Sequence, residues 1–394
     1  MLGACASHDP GTTEPPQVCN WHVMPKNSGV MVLGRSDAVI AALASDVSGQ
    51  GAPPVPPAQS ELKVQWTSSD ESVIRLKPLS IKAVTATAVK AGSATLTATA
   101  CLESVPVSVT VIPAGYRVTF VGPYNAVALN DSGWVVASGA ANILRTASGL
   151  VDLGACVPVD INNRGDVLCQ GSGPKIWSDG SITVLDTIST SPIAINDARH
   201  FLIPRGNGML WRSPTDITAP CPNFVFRAVG LNGRDDVIGN DRASLYMSPV
   251  ICQTGQRKTV GYWARWGDAK GVSDAGDVAV TGECAPARPG TIALIDRANA
   301  GWAAEPLRGP NPVGLCNDLA SDAVDVNTAK QVIGTGSDGP FLWANGSLAL
   351  LNRVLADTNW RINGVNKINN RGQILGYATN TATLESGTVL IDPP

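Results

Sequence analysis

Val326-Asn327-Thr328-Ala329-Lys330-Gln331-Val332-Ile333-Gly334 and Ile368-Asn369-Asn370-Arg371-Gly372-Gln373-Ile374-Leu375-Gly376 are two copies of one pattern, an apolar strand followed by I-N-x-x-G-x-V-x-G. Five more copies precede them, with Asn130, Asn162, Asn196 and Asn232 at the Asn position and Ser273 in a degenerate copy. The steps between these positions run from 32 residues (130 to 162) to 54 (273 to 327). That range brackets the roughly 40–50 residues of a propeller blade. The pattern reads as a β-hairpin. An apolar strand enters, Asn and Asp cap the turn through their side chains, Gly supplies a left-handed position, and Val-x-Gly returns.

A third strand follows, often ending in Trp: Lys175-Ile176-Trp177, Met209-Leu210-Trp211, Gly261-Tyr262-Trp263 and Phe341-Leu342-Trp343. Turns at Asp179-Gly180 and Asn345-Gly346 lead to a fourth strand, such as Ser181-Ile182-Thr183-Val184-Leu185. Four strands per unit predict blades. The seventh unit ends on its third strand, Gly387-Thr388-Val389-Leu390-Ile391, while Tyr116-Arg117-Val118-Thr119-Phe120-Val121 stands unassigned before the first. Supplying the missing strand from there closes the ring and removes exposed edges. The expected fold is all-β, an Ig-like sandwich followed by a seven-bladed β-propeller; an open β-solenoid is the alternative for the repeats.

The repeats resemble the bacterial HAF family, with its I-N-x-x-G-x-V-V-G, A-F-L-W and D-L-G elements. Val326 to Gly334 with Phe341-Leu342-Trp343, and Asp152-Leu153-Gly154, carry the likeness. Upstream, Trp66-Thr67-Ser68-Ser69-Asp70-Glu71-Ser72-Val73, Ala91-Gly92-Ser93-Ala94-Thr95-Leu96-Thr97-Ala98 and the alternating Val107 to Val111 strand resemble bacterial Ig-like domains of group 2. The resemblance implies a spacer or adhesive module with Trp66 in its core. The expected division is residues 1–14 as a lipobox remnant and tether, 15–113 as the Ig-like domain and 114–394 as the repeats.

Of 394 residues, only 15% are charged, against about 25% in an average soluble domain. Forty Gly and 28 Pro suit many tight turns. A net charge of −3 provides no basic field for nucleic acid. Leu2-Gly3-Ala4-Cys5 resembles a lipobox, which makes Cys5 the lipidation candidate and a lipid anchor the one expected membrane contact. Eight cysteines remain, an even set that suits an oxidising compartment. Sequential pairing gives Cys19–Cys101, Cys156–Cys169, Cys221–Cys252 and Cys284–Cys316, one connectivity among several.

No catalytic residue, metal site or cofactor is expected. The three histidines, His8, His22 and His200, stand near no nucleophile elbow. Asp131, Asp197, Asp236 and Asp274 sit in turn slots and read as turn caps. Arg164-Gly165-Asp166 spells an adhesion tripeptide on a turn where Gly is wanted anyway. Residues 241–259 and 297–319 read as long insertions and candidate contact loops. These features point to an extracytoplasmic binding or scaffold protein whose partner is a polysaccharide or a surface protein. A divergent carbohydrate-active enzyme, marked by carboxylates at one channel mouth, and a purely structural envelope protein are the alternatives.

Overall fold

A computed structural model describes residues 21–24, 29–43, 64–81, 83–100, 103–171, 173–185, 190–204, 208–221, 226–241, 248–253, 255–259, 266–283, 291–295, 304–306, 321–336, 338–345 and 347–394. Among them the strands form nine four-stranded sheets, joined by a single one-turn helix, Leu351–Val354.

Two sheets make the first unit. One orders Trp21–Met24, Ser36–Leu43, Ala83–Ala88 and Ile74–Pro78; the other orders Val30–Val32, Glu103–Ile112, Gly92–Ala100 and Gln65–Ser68. The alternation of Gly92–Ala100 turns Ala94, Leu96, Ala98 and Ala100 inward. They meet Ile74, Ala86 and Val107 in a shared core against which Trp66 is half-buried. Period-2 burial on facing sheets is what a sandwich requires.

The other seven sheets follow the repeats. The first six run in chain order, as in Asn125–Leu129, Val135–Ser138, Ile143–Thr146 and Gly149–Asp152. The seventh takes Trp360–Ile368, Ile374–Asn380 and Ser386–Asp392 from its own repeat and its outer strand, Arg117–Gly122, from the start of the region. The register is antiparallel, Val389 opposite Phe120 and Ile391 opposite Val118. The strand anticipated from the sequence as the missing fourth is therefore paired where it was expected.

Successive sheets pack face on face. Ala128, Val136 and Leu144 of the first sheet meet Ile161, Val167 and Trp177 of the second. Leu168 and Ile176 of the second meet Ile195 and Phe201 of the third. Leu375 and Leu390 of the seventh meet Val135 and Ile143 of the first. Return strands such as Phe201–Ile203 and Val237–Asp241 are buried along their whole length, because each faces two neighbouring sheets. The recurrent Trp serves this packing: Trp177 lies in the core shared by the first and second sheets, and Trp211, stacked on Phe201 of its own sheet with ring centroids 4.5 Å apart, packs against the core shared by the second and third.

Two sequence assignments change. The third strand of the fourth sheet is Ser248–Gln253, not the stretch at Trp263, which lies outside the described residues. Residues 241–259 are thus not an insertion: they hold that strand and its neighbour Gln256–Thr259. Likewise, Ala304–Pro306, inside the second supposed insertion, is the outer strand of the fifth sheet.

Deleting residues 117–122 removes an entire outer strand and exposes the edge of Ser386–Asp392. The melting temperature is expected to fall by roughly 10 °C or more. A calorimetric scan checks this, and an unchanged transition refutes closure by that strand.

Candidate functional site

Each repeat Asn is nearly inaccessible, and all but Asn130, which makes three side-chain bonds, use their whole hydrogen-bonding capacity. Asn162 is the pattern. Its Oδ1 accepts the N–H of Arg164 (3.1 Å) and of Asp166 (2.9 Å), which holds its own turn. Its Nδ2 donates to Asp166 Oδ2 (3.0 Å) and to the carbonyl of Asn196 (3.1 Å) on the next sheet. The inter-sheet bond recurs from Asn130 to Asn162, Asn196 to Asn232, Asn232 to Ser273, Asn327 to Asn369, and Asn369 back to Asn130. The amides form a belt that returns on itself. One link is absent: Ser273 turns its hydroxyl to Asp277 and has no amide to offer Asn327.

A second tier lies one residue further on. The N–H of Asp131 donates to Asn163, that of Asn163 to Asp197, that of Gly233 to Asp274, that of Thr328 to Asn370 and that of Asn370 to Asp131. Asp131, Asp197 and Asp274 were expected to cap their own turns. They bind the backbone of a neighbouring repeat instead, and the Asn before each (Ser273 in the fifth copy) holds the turn. Asp236 accepts from Asn232 Nδ2 within its own turn (3.0 Å).

The two tiers surround a cavity of about 140 Å³. Asp131, Asp197 and Asp274 line it, and so do Asp160, Asp325 and Lys367. These last three share one slot, two residues before the motif Asn. A register shift precedes the slot in six of the seven inner strands, as between Pro158 and Asp160 and between Val365 and Lys367. Bulges of this kind re-aim a side chain.

Asp160 Oδ2 accepts the N–H of Ile195 (2.9 Å) and Asp325 Oδ2 that of Ile368 (3.1 Å), each from the following sheet. Lys367 Nζ lies 4.0 Å from Asp325 Oδ2. Burial pushes both carboxyls above the usual carboxylate range, against the pull of Lys367. The ammonium is itself held up, by Asp325 first and Asp160 second, although burial opposes it. The site is an open polar well with five carboxylates and one ammonium on its wall.

Around the belt, the fourth residue of each turn needs positive φ. Gly133, Gly165, Gly276 and Gly372 supply it, while Arg199, Asp235 and Lys330 adopt it at φ 63°, 64° and 59°. The difference follows from what the preceding repeat presents. A Cβ at Gly165 would lie 2.5 Å from the Trp134 ring, so only Gly fits. Arg199 instead reaches Asp166 with Nε (2.9 Å) and Nη2 (2.7 Å). Asp235 takes His200 Nδ1 at 2.9 Å, Arg212 Nε at 2.9 Å and Asn196 Nδ2 at 2.8 Å. Burial acts to raise the Asp166 and Asp235 carboxyls, but these donors outweigh it and hold both below the usual range.

Asp166 of the Arg-Gly-Asp tripeptide is buried and bound to Arg199, which removes it from any adhesive contact. His200 belongs to the Asp235 cluster. Disulfides join Cys156 to Cys169 and Cys221 to Cys252, two of the sequential pairs, with Cα atoms 5.1 and 5.6 Å apart. Cys5, Cys19, Cys101, Cys284 and Cys316 lie outside the described residues, as does His8; His22 is in a strand.

No family model matches the chain, and no curated protein is found similar to it. Solved structures of low identity are similar in outline. The β-propeller domain of the Trilobed protease from Pyrococcus furiosus is 11% identical with a TM-score of 0.45, covering 70% of this chain and 95% of that one. YCF48 from Cyanidioschyzon merolae is 9% identical at 0.45, covering 71% and 99%. An auxiliary nutrient binding protein from Bacteroides thetaiotaomicron VPI-5482 is 9% identical at 0.37, covering 94% and 97%.

Asn162→Ala leaves buried donors and acceptors unpaired on two sheets and is expected to cost about 2–3 kcal/mol in urea unfolding. Ser273→Asn supplies the absent amide and is expected to add about 1 kcal/mol. Asp166 and Asp235 have lowered carboxyl pKa values, so their stabilisation is complete above about pH 4 and lost as pH falls further. In Arg199→Ala the Asp166 contribution is expected to disappear at a higher pH, read from melting curves across the acid range.

Proposed function

We propose that the chain is an extracytoplasmic binding or scaffold protein of a bacterial surface, with an Ig-like sandwich ahead of a seven-bladed β-propeller whose belt end is the contact face. The observation that carries this reading is the well inside the belt: concave, polar and lined by side chains from successive repeats. Concave sites with convergent polar groups are the usual places for ligands. Two buried disulfides fit an oxidising compartment, and among the described residues no helix is long and apolar enough to cross a membrane. The lipid anchor on Cys5 and the HAF and Ig-like memberships belong to the same proposal.

A cavity of about 140 Å³ is smaller than the roughly 300–1,000 Å³ of a pocket that swallows a whole ligand. It suits an end group of a larger partner, a polysaccharide branch or a protein side chain.

A second reading, a carbohydrate-active enzyme, draws on Asp160 and Asp325. Both line the well and both carboxyls are raised by burial, as a general acid requires. Their Oδ2 atoms already cap backbone N–H groups of the next sheet, which favours the binding reading.

Crystals of the full chain soaked in a mixture of bacterial and plant glycans test both. Sugar density at the belt end, with binding lost in Lys367→Met, supports the binding reading. Cleaved glycan that stays intact with Asp160→Asn supports the enzyme. An empty well, with envelope proteins captured by the wild type but not by Asp274→Asn, directs the site to a protein partner.

A further inference from the structure

We infer that the first unit is a clasp on the repeat ring rather than a free spacer, and that it holds the closing strand in place. Three segments meet at this joint. The turn of the first unit contributes Arg35, whose Nη1 donates to the carbonyl of Arg353 (2.9 Å) and whose Nη2 donates to Leu355 and, at 3.5 Å, to Ala356. The carbonyls at a helix C-terminus have no partner within the helix. Here one guanidinium collects a carbonyl from the last turn of Leu351–Val354, that of Arg353, and the two that follow it.

The linker crosses the same segment. Tyr116 donates its N–H to Val354 (2.8 Å) and accepts that of Ala356 (2.8 Å). A Cβ at Gly115 would stand 2.5 Å from the backbone nitrogen of Ala356, so the linker passes as closely as a chain can. Its next residues are the closing strand Arg117–Gly122.

The apolar side is continuous as well. Val32, with the half-buried Val30 and Ile112, shares one core with Leu351, Val354 and Leu355, with Ile362 and Ile391 of the seventh sheet, and with Val118 and Phe120 of the closing strand. Residues of the first unit and of the ring thus bury each other, and the strand that completes the seventh sheet packs into the same core. Shared apolar burial and charge-assisted bonds to backbone carbonyls couple two units thermodynamically. A spacer on a flexible linker has neither.

Hydrogen exchange on the full chain tests the clasp. In Arg35→Ala, exchange is expected to rise about tenfold in 117–121 and in its partner 386–392, with no change in Val237–Asp241 of the fourth sheet, on the far side of the ring. Arg35→Lys, which keeps the charge but loses the fork, is expected to fall between the two. The wild type is expected to unfold in one calorimetric transition. Two separate transitions, or exchange in 117–121 that ignores both substitutions, would overturn the proposal. Glycan or protein binding at the belt can fail without touching this result, since nothing in the joint depends on a ligand.

Discussion

Everything in the repeat region depends on one interaction, the side-chain amide of a buried Asn shared between its own turn and the neighbouring sheet. An amide is the smallest group that can accept two N–H groups and donate two more. In Asn162 all four bonds are used, within one turn and across one joint. Serine accepts in the turn but cannot span the joint, as Ser273 illustrates. Buried polar groups left unpaired are costly, so a closed set of them fixes relative position more sharply than apolar packing. The sheets supply burial, and the belt sets how they are placed around the well.

The next residues along each turn tune the joints one by one. Where the preceding repeat presents a large ring, as Trp134 does, the facing position is Gly165. Where it presents a carboxylate, as Asp166 does, the facing position is Arg199, and the backbone accepts a left-handed conformation to place it. A left-handed non-glycine residue costs about 1 kcal/mol or a little more. A charge-assisted pair with a buried carboxylate is of the size needed to offset that.

The fold was legible where it rests on local pattern, and the site mostly was not. Alternation and Asn-x-x-Gly turns announce the hairpins, and residues 116–121, an apolar strand with no place in the repeats, announce the outer strand of the seventh sheet. The fourth repeat misled because Gly261-Tyr262-Trp263 matches the Trp-ending third strand of other copies, while the strand itself, Ser248–Gln253, holds a Pro and no Trp. The Asn residues read as turn caps, but their inter-sheet bonds depend on what lies opposite, which one copy of a repeat cannot show. Asp160, Asp325 and Lys367 are far apart in sequence. Aligned on the motif Asn, however, they fall in one column with Ala128, Ala194, Gly230 and Gly271, and three charges among four small residues were a signal open to anyone comparing the copies.

The closing strand also sets an order of events during synthesis. The hydroxyl of Thr388 donates to the carbonyl of Tyr124, 264 residues earlier. Arg117–Gly122 therefore leaves the ribosome long before its partner exists, and the seventh sheet cannot be completed until Ser386–Asp392 arrives. For that interval the nascent chain carries an unpaired strand, the kind of edge that templates wrong pairings. A first unit already folded beside it gives the waiting strand a neighbour of the same chain. A first unit ahead of the closing strand thus shields the edge that waits longest for its partner.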